Sequence, residues 1–543
     1  MVIGTLVLVA AALPSSYATA ASPTPTNDNS RTLMVSLPGP FNGCSYLDPG
    51  ATPTTNAILD LTQPSAFVTG VNGTLIGEGG AIATAELTSL APETVRYTIA
   101  PLQLWSSGPV FNGADLVHWW QRAKNLASVV SDGYRAIKTL TVSSHGLVVT
   151  AVFARPYADW NVLFRDVQIV GATKGCAISN LWRRPSLGPY HVTAATPSRV
   201  VLRMNPHWPL DISRIGRIVI TRSTTLPAKL TALYAAFTPT ITSAQLQLVS
   251  AHPTLTSRIS SSNAIEELTF SPRSTWTAML AVRRALSWSI DRQILVDRLF
   301  SAETFSTSVA ASAIFSQGQS QYPGPSGSGP TGQTTTTVVG SPANGLNDCR
   351  SCAIDVLKQR GFRRTASGWV GLNHRLLSIR LGVGPSALDH SVAKFVLRSW
   401  EEIGIRTRLT NESSDAVAAN AAATNHIDVA IFARPTSSTP SYAARSWAGP
   451  PYPDTYPSGV RLPSVASLFN QASAVFNPVT AAATWLNLDQ IIMSDYWVRP
   501  LFTPPSFLVW SSNLATVENS LSVVGFVDQI PTWSLAIPMQ SGS

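Results

Sequence analysis

The chain has 543 residues, 45% hydrophobic and 12% charged, which is enough apolar material for large packed cores and excludes wholesale disorder; the length exceeds one ordinary core and allows about three to four units of ~150 residues or two large lobes. Its net charge is +9, but only six of the 38 basic residues are Lys and the Arg are scattered with no run of five or six, which argues against the concentrated stripe of a nucleic-acid-binding face. Four cysteines are too few for a disulfide scaffold and leave two pairings open, Cys44 with Cys176 and Cys349 with Cys352.

Val2 to Leu13 is an apolar run of signal-peptide length, too short to span a bilayer as a helix. Ala18-Thr19-Ala20 fits a small-x-small cleavage pattern. Residues 1–20 are therefore expected to be a signal peptide, with an uncleaved anchor as the alternative. Residues 21–30, rich in Pro, Thr and Asn, read as an exposed tether.

Thr32 to Leu37 reads as the first strand, and Leu47-Asp48-Pro49 as a turn beyond it. Thr94 to Ile99 alternates as a strand. Asn112 is placed to cap a helix whose first turn carries Asp115, where negative charge is favourable. A hairpin is expected to turn near Pro197-Ser198, with Arg199 to Met204 returning. It closes on Asn205-Pro206-His207-Trp208, where His207 reads as a surface turn rather than a ligand. Gly216 to Thr221 is another strand.

Met279 to Phe300 contains no Pro or Gly, and its apolar residues Met279, Val282, Leu286, Ile290, Ile294 and Leu299 recur at helical spacing. One amphipathic helix is expected, with Arg283, Arg284, Asp291 and Arg292 largely on its other faces. Gln317 to Pro342 reads as a flexible insertion. Asp348 to Arg360 reads as a helix with Gly361 as its C′ residue, and Gly368 to Gly371 as a hairpin turn. Leu377 to Leu381 is a strand. A helix carrying Leu388, Val392, Phe395, Val396, Trp400 and Ile403 on one side ends at Gly404. Strands follow at Ile405 to Leu409 and Asp428 to Phe432, then a helix from Trp485 to Tyr496 that runs into Arg499-Pro500-Leu501-Phe502. Alternating strands and helices argue for an α/β lobe.

The residues do not assemble an enzyme motif. There is no G-x-S-x-G, H-E-x-x-H or G-x-x-x-x-G-K-[ST]. Ser391-Val392-Ala393-Lys394 spells S-x-x-K, but it sits in an amphipathic helix without the partner motifs that would make the Ser a nucleophile. Cys349-Arg350-Ser351-Cys352 stands at a helix start, where a thiol pKa falls. A zinc site would need more ligands, so a local structural disulfide is expected. No catalytic residue, no metal and no cofactor are expected.

Several of these segments, in this order, resemble extracytoplasmic solute-binding proteins of family 5, the oligopeptide-binding type. Arg283-Arg284-Ala285-Leu286 through Ile290-Asp291-Arg292 is similar to that family's R-x-A-L-x-x-A-I-D-R segment. Leu104 to Val117 resembles its W-S-D-G-x-P-V-T-A-x-D-V-V stretch. Leu187 to Val192 and Asn205 to Trp208 resemble G-T-G-P-Y-x-V and N-P-x-Y-W. The segment from Asp348 to Phe362, the helix–Gly404–strand unit and Asp428 to Phe432 continue the match. The resemblance implies an α/β, two-lobed periplasmic-binding-protein-like fold (class II, large oligopeptide-binding type) with mixed sheets and a hinge. It places lobe I at 31–265, completed by 496–543, and lobe II at 266–495. It implies an exported protein, in the periplasm or on the surface of a bacterium. Such a protein captures a small solute or short peptide as a monomer, without turnover, and delivers it to an ABC-transporter permease. Solute contacts are expected from Tyr46, Trp447, Tyr452 and Asp454. Peptide binders of the family hold the ligand amine with an Asp where this chain has Pro450. A secreted hydrolase and a non-transporting surface sensor or adhesion module are the alternatives.

Overall fold

The structure is a computed structural model. It describes residues 32–43, 45, 47, 52–70, 74–126, 131–169, 181, 183–210, 215–223, 233–238, 243–300, 307–315, 317, 322–323, 348–371, 374–437, 439–449, 457–518 and 526–535. Cys44, Tyr46, Cys176, Pro450, Tyr452 and Asp454 lie outside the described residues, as do residues 1–31 and nearly all of the 317–342 insertion.

The chain opens with strand β1 (Thr32–Leu37), helix α1 (Pro53–Thr62) and the short hairpin β2 (Phe67–Thr69) and β3 (Leu75–Gly77). Thr52 caps α1, its hydroxyl accepting from the Thr55 N–H at 3.3 Å, and Pro53 supplies the preset φ of a first helical position. Next come β4 (Ile82–Leu90), β5 (Glu93–Ile99), α2 (Gly113–Ala123), α3 (Ser131–Ala136), β6 (Ile137–Val142) and β7 (Val148–Phe153). These strands form an antiparallel sheet in the order β4-β5-β7-β6. Helix α2 starts in a full capping box, as expected of Asn112: its side chain accepts from Ala114 N–H at 2.9 Å while Asp115 accepts the Asn112 N–H at 3.0 Å. Gly113 lets this helix touch the sheet, since a Cβ there would fall 2.5 Å from Val142.

The chain then returns to the first sheet through β8 (Tyr190–Thr196), β9 (Arg199–Met204), β10 (Arg217–Arg222), β11 (Tyr234–Thr238), α4 (Ser243–Ser250) and β12 (Leu255–Ser261). The hairpin at Pro197-Ser198 is present. Strand β1 lies inside the sheet, parallel to both β10 and β11. Its Leu33, Val35 and Leu37, which alternate along the strand and so share one face, are fully buried in the core of this sheet.

The second large sheet begins at β13 (Ala264–Phe270). It continues through α5 (Leu280–Trp288), α6 (Arg292–Phe300), α7 (Arg350–Gln359), β14 (Arg363–Thr365), β15 (Gly368–Val370), β16 (Ser378–Val383), α8 (Ala387–Glu402), β17 (Arg406–Asn411), α9 (Asp415–Ala423), β18 (Val429–Pro435), α10 (Pro440–Ala448), α11 (Pro463–Ser473), α12 (Pro478–Ser494) and β19 (Val498–Phe502). Its order is β17-β16-β18-β13-β19, with β16 to β18 parallel and β13 antiparallel to its neighbours. Leu268, Phe270, Val429 and Ile431 pack with α5 to α8 on one face; Ala430 and Phe432 pack with α9 on the other. The tail, β20 (Pro505–Ser511), β21 (Leu514–Ala515) and β22 (Ser534–Leu535), brings β20 back between β11 and β12, completing a seven-stranded sheet.

Three expectations need correction. The stretch 279–300 is two helices, not one: Ser289 turns its hydroxyl back onto the Leu286 carbonyl. Asp291 then accepts the Ile294 N–H at 2.9 Å, a cap that starts α6. Arg283 and Arg292 are also buried rather than on an outer face. Arg283 spends its guanidinium on the carbonyls of Thr277, Ala278 and Asp495. Arg292 reaches the carbonyls of Ala310 and Pro500. Finally, Gly368 to Val370 is the second strand of its hairpin rather than the turn.

Candidate functional site

The parallel strands β16, β17 and β18 all end toward one edge of the second sheet, where α8, α9 and α10 start. In open α/β sheets this carboxyl edge is where ligands sit. Here it adjoins the only two places where the described chain passes between the large sheets: 262–263, between β12 and β13, and 503–504, between β19 and β20. The crossings touch, with the Ser262 N–H donating to the Pro504 carbonyl at 2.8 Å. The end of β18 is tied to them, the Thr436 N–H donating to the Asn263 carbonyl at 2.8 Å. Two adjacent connections between two packed bodies are what a hinge needs.

The side chains at this seam are polar. Ser262 Oγ, Asn263 Oδ1, Thr436 Oγ1 and Thr503 Oγ1 are buried, and no described protein group hydrogen-bonds to them. Buried polar groups are rarely left so.

Just inside the seam, Glu267 and Arg434 form an ion pair on facing strands β13 and β18, with side chains 1% and 3% exposed. Arg434 donates from Nε to both carboxylate oxygens at 3.1 Å and from Nη2 at 2.8 Å. It also donates to the carbonyls of Ala443 and Ala313. Its guanidinium carbon lies 5.5 Å from the centre of the Trp447 ring. Trp447 itself is 1% exposed, within the core made by α10, α11 and α12.

On the other face of β13, Glu266 is fully buried and points toward Asp389, the third residue of α8, and Asp415, the first of α9. Burial is the main cause that raises all three carboxyls: Glu266 well above its usual range, Asp389 upward, and Asp415 to about 7.

A second junction joins the antiparallel module to the α10–α11 layer. The Ala158 N–H donates to the Ser473 carbonyl at 2.9 Å. Tyr442, partly buried, packs against the module's core. Asp159 faces Ser441 and Arg445; burial raises its carboxyl while those two partners pull it back.

Of the remaining residues singled out from sequence, Cys349 and Cys352 are joined by a disulfide at the start of α7. Ser391 donates to the Ala387 carbonyl one turn back, an ordinary helix contact. His207 is an exposed turn residue whose N–H meets the Asn205 side chain. Among the described residues, no group of three His, Cys, Asp or Glu is arranged to hold a metal ion, and no helix is long and apolar enough to cross a membrane. The seam oxygens and the Glu266 cluster were not read from sequence, since each member looks locally like a hydroxyl, an amide or a cap.

Comparison with known proteins bears on this geometry. The chain is 28% identical over 193 residues to the oligopeptide-binding protein OppA of Mycobacterium tuberculosis. That match covers 33% of this chain and 32% of OppA, so it spans about a third of the relative's length. In structure it is similar to the periplasmic EDTA-binding protein EppA, with a TM-score of 0.79 at 18% identity over 93% of this chain and 96% of that one. It is also similar to the oligopeptide-binding protein AppA of Bacillus subtilis, solved with a nonapeptide, with a TM-score of 0.72 at 13% identity over 93% and 99%. These likenesses carry the fold, which is the two-lobed mixed α/β architecture expected from the sequence. The model of the bacterial extracellular solute-binding proteins, family 5, matches residues 80–454, and with that span matched, in a chain that folds as two sheets joined by a paired crossing, the chain belongs to this family of solute-binding proteins.

Proposed function

We propose that this protein captures a small solute, a peptide or peptide-like molecule, between its two sheets and delivers it unaltered to the permease of an ABC importer. The observation that carries this reading is the seam: two touching crossings with buried, unsatisfied oxygens at the carboxyl edge of a parallel sheet. A small number of fixed polar groups in a partly apolar cleft is how such sites set orientation. Membership of family 5 supports a binding role without chemistry.

In this reading the chain is exported, with residues 1–20 removed and 21–30 as tether, and acts as a monomer. Lobe I is 31–265 with 496–543, lobe II is 266–495, and the crossings at 262–263 and 503–504 serve as the hinge. Tyr46, Tyr452 and Asp454 contact the solute, and Cys44 pairs with Cys176.

The test is titration of the mature chain with tripeptide pools, read by Trp fluorescence and by small-angle scattering. A saturable fluorescence change with a smaller radius of gyration is expected. No response in either signal to any pool would remove the peptide assignment, and consumption of the peptide would favour a secreted hydrolase.

A further inference from the structure

We propose that the free edge of strand β17, with the groove between it and helix α8, is a docking surface for an extended acidic segment of a partner protein, which adds to the sheet as a further strand. This edge is the margin of the second sheet opposite β19, with β16 and β18 between it and β13. The inference therefore does not rest on the solute-binding reading.

The backbone comes first. Among the described residues β17 pairs only with β16, in parallel. Along such a strand, successive residues turn their N–H and C=O to opposite sides. The Glu412 N–H donates to the Val383 carbonyl at 2.8 Å, in line with β16, so the even-numbered residues face that strand. Thr407, Leu409 and Asn411 then present their donors and acceptors outward. All of β17 but Thr407 is exposed. A row of open backbone groups on an exposed edge is a template for another strand.

Beside the edge lies an open groove of about 580 Å3 between β17 and α8. Helix α8 lends it two rows of side chains, each spaced by four residues and so aligned along the helix. His390, Lys394 and Arg398 make a basic row; Ala393 and Leu397 make an apolar one that ends at Glu401. Leu409 walls the groove from the strand side and is 43% exposed. The groove thus offers apolar contact along one line and positive charge along the next.

Charge selects the occupant. Alternation puts Leu409 on the α8 side of β17, and Arg406 and Arg408 on the other. A strand added here sends its side chains alternately to these two sides and meets cations on both. Arg398 shares Glu402 with Arg350, whereas Lys394, Arg406 and Arg408 pair with no described acid. The other acids nearby are Glu401, at the end of the groove, and Glu412, past the end of the strand and directed toward Gly382. A second copy would bring the same cations to the edge, and like charge on an edge strand deters self-pairing. This chain has no acidic run to offer: adjacent acids occur only at Glu266-Glu267, buried in β13, and at Glu401-Glu402, in α8 itself. A lipid surface would answer the charge but leave the outward backbone row unused. An acidic extended peptide answers both.

The test is fluorescence anisotropy of a labelled, end-capped octapeptide of alternating Glu and Val, read together with hydrogen exchange over β16 and β17. A Lys–Val octapeptide and phosphatidylglycerol vesicles are the other probes. The acidic peptide should bind saturably and slow exchange over β17. An excess of tripeptide pool should not displace it, which separates this surface from the solute cleft. The basic peptide should not bind. Lys394→Glu with Arg408→Glu, both exposed, should weaken binding at least about tenfold. Leu409→Pro removes one outward N–H while sparing the ladder to β16; it should abolish binding, and Leu409→Ala should keep the slowed exchange. Unchanged exchange over β16 reports that the proline variant is folded; if it is not, the charge variant decides, and full affinity there would overturn the proposal. Binding that survives in a folded Leu409→Pro chain would overturn it too. So would equal binding of both peptides, no binding of the acidic one, or binding without slower exchange over β17. Vesicles bound in place of the peptide would assign the basic face to a lipid surface, and a dimer lost in Leu409→Pro would assign the edge to a second copy; either result would overturn the proposal.

Discussion

Replacing Arg434 with Met should be among the most damaging single changes in the second sheet. Arg434 is the counter-ion of Glu267, and both side chains are almost fully enclosed. The guanidinium makes its contacts to Glu267 at 2.8–3.1 Å and also holds the carbonyls of Ala313 and Ala443. It therefore ties β18 and β13 to the 307–315 segment and to α10. Met fills similar volume but leaves the Glu267 carboxylate buried without a counter-charge, with the Thr269 hydroxyl still donating to it at 2.8 Å. Breaking one side of a buried pair costs about 3–5 kcal/mol, roughly a hundredfold to a few thousandfold in the local unfolding equilibrium. Removing both charges, Glu267→Leu with Arg434→Met, should return part of that. It leaves the two carbonyls without their donor and the buried Thr269 hydroxyl without its acceptor, at ~1 kcal/mol each. Because a chain with several cores need not unfold in one step, the assay is hydrogen exchange read by mass spectrometry over 440–448 and 429–435. Both segments should lose protection in the single variant and recover it in the double. A single variant within about 1 kcal/mol of the parent, or a double variant worse than the single, would refute the reasoning.

Three further outcomes follow from local geometry. Asn112→Ala removes the capping box of α2 and should cost about 1 kcal/mol, seen as faster exchange at the Ala114 amide; unchanged exchange would contradict it. Gly80→Ala would put a Cβ 2.1 Å from the Trp208 ring; overpacking of this kind costs about 1–3 kcal/mol, and a melting temperature equal to the parent's would show that Trp208 yields freely. Burial raises Asp489 to about 6 against the lowering hydrogen bond from the Ala313 N–H. The folded state thus holds its proton more tightly than the unfolded one, and the stabilisation, at most about 3 kcal/mol, is full below pH ~4 and lost as pH rises through ~6. Asp489→Asn should flatten that part of the stability–pH profile, and an unaltered slope would count against it.

Periodicity carried most of the fold. The capped α2, the 190–204 hairpin and the α8–Gly404–β17 unit follow from patterns whose causes are local: a side-chain cap, a tight turn, a glycine at φ +83°. The 279–300 stretch misled because its apolar spacing runs through the break. The break is set by Ser289 and Asp291 bonding to nearby backbone, a competition that hydrophobic spacing does not register. Arg283 and Arg292 looked like outer-face charges because their partners are carbonyls more than 200 residues away in part. The site was harder still. Glu266, Asp389 and Asp415 are brought together only by the order of strands in the sheet, and before folding two of them are indistinguishable from helix-start acids. Trp447 drew attention as an aromatic, yet its ring sits in a core behind the Glu267–Arg434 pair.

Native mass spectrometry of the exported, mature chain, before and after prolonged incubation at working temperature, probes capture without turnover most directly. A non-covalent guest of low mass, identical at both times and exchangeable with an added peptide pool, is the expected result. A guest whose mass changes on incubation, or a chain that neither carries a guest nor takes one from any pool, would contradict it.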